Sequence, residues 1–358
     1  MSAAASFELN PDRLGIAYDH LRAAVEAGDL PVGLLAVATS RETVRCEGHG
    51  PSGLIGDDGI YLLASITKPI VGTAIMQLVE DGRLLIDDPV VRYIPEFAVN
   101  GKSGVQVWHL MTHTSGLDEG YMSDRLSADQ RPPDVPLAEL DLRRAIGTHL
   151  KFAPGSRWEY CNVGFRILGE LIRRLAGKPY QEYLRERVFA PAGMIDTTFL
   201  PGPRQLGRVL PVADMPKEFG DDPMATFVAL QTPAGGLFST AADLVAFGQA
   251  YLNGGRGKHG RLLGPAAIRL MTSNQTDGIS VYDQGVPHPA RWGLTWGGTQ
   301  AREGLLFSPE TYQHGGATGT HLWVDPSRDL VVVFLTNRWG SDGHAKRQIA
   351  NAVLGALE

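Results

Sequence analysis

A serine and a lysine stand three residues apart in Ser65-Ile-Thr-Lys68, and Pro69 with a helical run follows at once. Ile70, Ala74, Ile75, Leu78 and Val79 recur at helical spacing, and Gly82 is a suitable stop. Pro69 suits a first turn, because no intrahelical acceptor waits there for its missing N–H. With that turn helical, Ser65 and Lys68 share a face at the helix N-terminus, beside free N–H groups and the positive end of the dipole. A hydroxyl, an amine and backbone donors in one place have the makings of acyl transfer: a nucleophile, a proton acceptor and oxyanion donors. The same letters also describe an ordinary helix cap, and S-x-x-K recurs by chance, so the rest of the chain has to decide.

The elements that would hold such a pair can be read in order. Residues 11–28 carry an amphipathic helical pattern, and residues 32–39 and 42–47 read as a hairpin. A short helix over 105–112 ends in the turn His113-Thr-Ser-Gly116. Residues 118–140 and 200–232 are rich in Pro and Gly and read as irregular. Between them lie helices over 163–176 and 179–188, and after them a helix over 240–252 capped by Ser239 or Thr240. Strand-like runs cover 291–296, 320–324 and 330–335, and a helix over 341–357 closes the chain. Strands at both ends and helices in the middle imply one sheet built from the two termini, with a helical segment inserted. The expected division is an α/β part of residues 1–85 and 235–358 and a mainly helical part of residues 86–234.

Composition removes whole classes of function. With 43% hydrophobic and 20% charged residues, the 358-residue chain is globular. A net charge of −6 and the lack of any Lys/Arg-rich run exclude an electrostatic nucleic-acid partner. The longest apolar run, Leu330-Val-Val-Val-Phe-Leu335, has strand length, so no membrane partner is expected. The first ten residues lack a basic segment followed by an apolar one, which argues against a secretion signal. Cys46 and Cys161 read as two reduced thiols, and the expected location is cytoplasmic.

Two further motifs complete the set: Tyr160-Cys161-Asn162 and His314-Gly315-Gly316. Together with Ser65-x-x-Lys68 they resemble the serine β-lactamase/penicillin-binding-protein superfamily. Its nearest groups are the class C β-lactamases, similar DD-peptidases, and the esterases and D-amino-acid peptidases grouped with them. The resemblance also takes in His109-Leu-Met-Thr-His-Thr-Ser-Gly-Leu117, Phe152-Ala-Pro-Gly155, Pro233-Ala-Gly-Gly-Leu237, Ser239-Thr-Ala-Ala-Asp-Leu244 and Gly315-Gly-Ala-Thr-Gly-Thr320, in the family's order. It runs from about Leu14 to the C-terminus. It implies an α/β (α+β) fold, an antiparallel sheet flanked by helices with an inserted mainly helical region, and an active site in the cleft between the two parts.

The resemblance also implies roles. Ser65 would be the nucleophile, and Tyr160 would meet it across the cleft. Burial and the positive helix end disfavour the ammonium form of Lys68, and a phenol needs a nearby cation to act as a base. Lys68 and Tyr160 are therefore a coupled pair, and which of them takes the proton stays open. Asn162 would touch the substrate's carbonyl or amide and hold Lys68. The N–H groups of Ser65 and Ala317 would bind the oxyanion, with Gly315 and Gly316 letting substrate approach the strand edge. His314 stands where β-lactamases carry a lysine. A neutral histidine cannot hold a β-lactam carboxylate as a cation does, which turns the reading away from β-lactams.

The expected activity is a serine hydrolase with a Ser65 acyl-enzyme, a carboxylesterase on small or medium acyl esters, using no cofactor and no metal. The alternatives are a D-amino-acid amidase or peptidase, a weak β-lactamase, an acyltransferase, or a non-catalytic ligand sensor on the same fold. Its partner is a small-molecule ester or amide; oligomeric state is not legible. Specificity is expected from the loops at 118–150, 200–232 and 276–312. Trp158, Trp292, Trp296 and Trp339 are candidates either for an apolar acyl pocket or for core. Cys161 reads as a small packed side chain.

Overall fold

A computed structural model describes residues 8–50, 53–120, 134–283, 286–299, 304–341 and 343–358. Helix α1 (Pro11–Glu26) begins where the Asn10 side chain accepts from the N–H groups of Asp12 and Arg13, with Pro11 at its first position. Strands β1 (Gly33–Ala38) and β2 (Thr43–Gly50) form the expected antiparallel hairpin, extended by β3 (Gly53–Ile55). A 3₁₀ turn at Ala64–Ile66 leads into α2 (Thr67–Glu80). The middle of the chain supplies α3 (Leu137–Gly147), α4 (Val163–Ala176) and α5 (Pro223–Leu230). Helix α6 (Ala241–Leu252) opens on Thr240, whose hydroxyl accepts from the Asp243 N–H. Strands β4 (Gly297–Gly298), β5 (Tyr312–Gly315), β6 (His321–Asp325) and β7 (Leu330–Thr336) follow, and α7 (His344–Leu354) is last.

The seven strands lie in the order β3-β2-β1-β7-β6-β5-β4, every neighbouring pair antiparallel. At its centre β1 pairs with β7, from Gly33 opposite Thr336 to Ala38 opposite Val331, so the two ends of the chain meet in mid-sheet. Alternation sends Leu35, Val37, Val332 and Phe334 to one face, where they pack with Leu14, Tyr18, Ile349 and Val353 of α1 and α7. Leu34, Ala36, Val331 and Val333 face the other way, into a core shared with α2 and α6. With both faces covered, β1 and β7 read as unbroken apolar runs. Each large buried side chain there contributes about 1.5–3 kcal/mol. Gly248 lets α6 close onto the sheet; a Cβ there would sit 2.7 Å from the Val331 side chain.

The sheet flanked by helices agrees with the expectation, and the departures are local. Residues 121–133, most of the segment read as irregular, lie outside the described residues, but α3 starts at Leu137 within it. Residues 200–232 are not wholly irregular either: they contain Pro203–Leu206, Lys217–Phe219 and α5, which the Asp222 carboxylate caps by accepting from the Ala225 N–H. Residues 291–296 are not a strand. Thr295 has φ +72° and the Gly293 N–H donates to the Trp296 carbonyl, so the run folds back before β4 begins. The helix expected over 179–188 is Tyr180–Leu184 followed by a π-turn. No helix of the described residues is long and apolar enough to cross a membrane.

Candidate active site

Ser65 sits at a clamped turn. The pair Tyr61–Leu62 bonds to Phe238–Ser239, and the Leu63 N–H donates to the Leu237 carbonyl at 2.8 Å. Ala64 then takes φ +47°, a left-handed conformation unfavourable for a residue with a Cβ, and the chain swings into the 3₁₀ turn. Two glycine segments hold that turn. The Thr318 and Thr320 hydroxyls donate to the carbonyls of Leu62 and Leu63, and a Cβ on Gly316 would lie 2.2 Å from the Leu63 carbonyl oxygen. The segment 233–237 closes the other side, with Gly235 against the backbone of Ala64.

Lys68, one turn on, is wholly buried. Its Nζ lies 2.9 Å from Ser65 Oγ and donates to the Ala234 carbonyl at 2.6 Å. Burial pushes its ammonium down to about 7; the Glu119 carboxylate opposes that shift and Arg166 adds to it. Tyr160 borders the same cavity as Ser65; burial drives its phenol well above the usual range, and the Ser65 hydroxyl opposes that shift. Near neutrality the phenol keeps its proton, and Lys68 is the group of the pair that can stand uncharged. Lys68 Nζ lies 4.9 Å from the centre of the Tyr160 ring and 5.3 Å from that of Phe165.

Aromatic rings fix the phenol. His113 stacks on Tyr160 at 4.3 Å, and Trp158, Trp292 and His314 complete the surround. His113 Nδ1 accepts from the Cys161 N–H, which ties the ring to the same segment as Tyr160. Burial and the neighbouring Lys68 hold His113 well below the usual imidazole range and His314 at about 3, so both rings are neutral. His314 Nδ1 bonds to the Gly315 carbonyl.

Ser65, Tyr160, Asn162 and Ala317 border a cavity of about 480 Å³, together with Glu119, Asp141, Arg166, Phe219, Phe227, Leu230 and Trp339. His314, Gly315 and Gly316 are not in the cavity wall: the first two end β5, and Gly316 follows. Of the four tryptophans only Trp339 borders the cavity; Trp158 and Trp292 pack around Tyr160, and Trp296 is core, against Phe247 and Tyr251. Asn162 does not hold Lys68: its amide donates to Glu119 Oε1 at 3.0 Å. Glu119 Oε2 also accepts from the N–H groups of Asn162 and Val163, at the start of α4. Cys161 is buried, its thiol donates to the Leu117 carbonyl, and burial pushes it far above reactivity.

Glu119, Asp141 and Arg166 escaped the sequence reading. The first two lie in or beside the segment read as irregular. Arg166 carried a signal, since it interrupts a helix that is buried at 163, 164, 165, 167 and 168.

The beta-lactamase family model matches residues 18–356. The chain belongs to the beta-lactamase family. Esterase EstB of Burkholderia gladioli is 31% identical over 315 residues, covering 78% of this chain and 78% of its own length. A penicillin-binding protein homologue from Caulobacter crescentus superposes with a TM-score of 0.79 at 23% identity, over 98% of this chain and 99% of its own. A family VIII carboxylesterase gives the same TM-score at 20% identity, over 99% and 100%. This beta-lactamase family member is a serine hydrolase.

Proposed function

We propose that the chain is a carboxylesterase that hydrolyses small or medium acyl esters through a Ser65 acyl-enzyme. The observation that carries this is Lys68 Nζ at 2.9 Å from Ser65 Oγ, beside a cavity with an apolar wall of Phe219, Phe227, Leu230 and Trp339. In this reading the cavity is the cleft between the α/β part, residues 1–85 and 235–358, and the mainly helical part, residues 86–234. Ser65 Oγ attacks the ester carbonyl carbon and passes its proton to the uncharged Lys68 amine. The N–H groups of Ser65 and Ala317 take the oxyanion. The departing alkoxide receives the proton by way of the Tyr160 hydroxyl, and water then cleaves the acyl-enzyme with the same pair as base. Similarity to EstB supports the ester reading. The buried, neutral His314, where β-lactamases carry a lysine, weighs against β-lactams. The test is a panel of p-nitrophenyl esters, D-amino-acid amides and nitrocefin. Short and medium esters are expected to exceed nitrocefin by about 100-fold or more in kcat/KM; equal rates on nitrocefin or amides would overturn the assignment.

The base has a pH signature. For an ester, kcat/KM should rise with pH through an apparent pKa near 7 as Lys68 loses its proton. Glu119→Gln removes the charge that favours the ammonium form, so the acid limb should move to lower pH by about half a unit or more. A limb that stays in place or moves up rules out Lys68 as its source.

A further inference from the structure

Arg166 and Asp141 border the same cavity as Ser65 and take no part in the proton transfers above. Arg166 Nε on α4 donates to Asp141 Oδ2 on α3 at 2.5 Å, and the side chains are only 12% and 5% exposed. The pair is left open: Arg166 Nη1 and Asp141 Oδ1 are both buried without a hydrogen-bond partner. A buried ion pair is favourable only when its remaining donors and acceptors are also met. One turn further along α4, Glu170 shows the closed form, with both oxygens taken by Arg173 and Arg174.

Charge decides what could complete the open pair. Arg166 is balanced by Asp141. Glu119 is occupied by Asn162 and Val163, and Lys68 is uncharged above about 7. No surplus cation is left for a ligand carboxylate. The unused N–H groups of Arg166 Nη1 and the unused Asp141 Oδ1 match a neutral group that both accepts and donates. We propose that Arg166 and Asp141 anchor the substrate by an amide or a hydroxyl on its acyl or alcohol half, Arg166 Nη1 donating to its oxygen and Asp141 Oδ1 accepting its N–H or O–H. The anchor rests on the ester reading of the Ser65 cavity, and it makes the favoured substrate amphipathic, with the aromatic wall covering the remainder.

The test uses two matched series. One is p-nitrophenyl hexanoates ending in carboxamide, hydroxyl, methyl or carboxylate; the other puts the same four ends on the alcohol half of butyrate esters. In one series the amide or hydroxyl member should exceed the methyl member by about tenfold or more in kcat/KM, chiefly through KM. In Arg166→Met that ratio should fall to about one. Because this variant strands Asp141, the double variant Arg166→Met/Asp141→Leu, which makes both sites apolar, should show the same collapse in a folded protein. No preference in either series, a preference that survives both variants, or carboxylate members as the best substrates would each overturn the anchor. Ser65→Ala on the methyl ester reads the underlying assignment separately: loss of turnover there, with no amide or hydroxyl preference in the wild type, removes the anchor alone.

Discussion

Ser65→Ala is expected to lower turnover of p-nitrophenyl esters by on the order of 10⁴-fold or more, with an unchanged circular dichroism spectrum. The size follows from what is deleted. Ser65 Oγ is the atom that Lys68 Nζ meets at 2.9 Å, with Tyr160 on the same cavity wall, so removing it ends the proposed covalent route and leaves only binding and oxyanion donors. The fold should survive, because the Ser65 turn is held by backbone bonds at 63 and by the Thr318 and Thr320 hydroxyls, none of which uses the Ser65 side chain. Thermal stability should hold or rise, since the substitution deletes a hydroxyl crowded among polar groups. In the wild type, a poorly deacylating ester should add one acyl mass at Ser65. Residual turnover above about a tenth of wild type, or an adduct located elsewhere, would refute Ser65 as nucleophile.

The protein should lose several kcal/mol of stability between pH 7.5 and pH 5.5. Four histidines are held neutral by burial: His109 at about 4, His314 at about 3, and His113 and His321 well below the usual range. Each has a folded pKa below its unfolded value of roughly 6.5, so below that pH the unfolded chain binds more protons and gains. At pH 5.5 this is on the order of 1 kcal/mol per histidine, several kcal/mol together, against a total stability of about 5–15 kcal/mol. Ion-paired carboxylates such as Glu170 are also shifted, but downward, and their contribution is lost only as pH falls below the ordinary carboxylate range. The two effects therefore separate in pH. Urea unfolding at pH 7.5, 6.5 and 5.5 measures the first, and a difference under about 1 kcal/mol between the ends would show that these rings already protonate in the folded state.

Local pattern carried much of this protein. The period of Ile70, Ala74, Ile75 and Leu78 identified α2, the helix expected from Pro11 starts there, and of the two candidate caps before α6 the structure uses Thr240. The apolar runs at 32–39 and 330–335 read as strands and are the two central ones, because burial on both faces leaves no polar alternation to confuse them. The expectations failed where a long-range contact overrides local preference. Thr295 accepts a left-handed conformation because Trp296 is drawn into the core against Phe247, and the strand expected there folds back instead.

The candidate site divides in the same way. Residue type and spacing offered Ser65 with Lys68 only as a candidate pair, and it was the family resemblance that added Tyr160, Asn162 and the glycines after His314. Three things needed the tertiary structure. Lys68 comes down to about 7 only because α2 is buried beneath the Tyr160 and Phe165 rings, and desolvation is a property of the packed site. Asn162 is turned away from Lys68 by Glu119, a residue more than forty positions earlier that caps α4. The wall of Arg166, Asp141, Phe219 and Trp339 is assembled from four separate stretches of chain. The sequence by itself determined which groups could do chemistry; only the packed fold decided which of them is uncharged and what the cavity beside Ser65 presents to a substrate, because both depend on contacts between residues far apart in the chain.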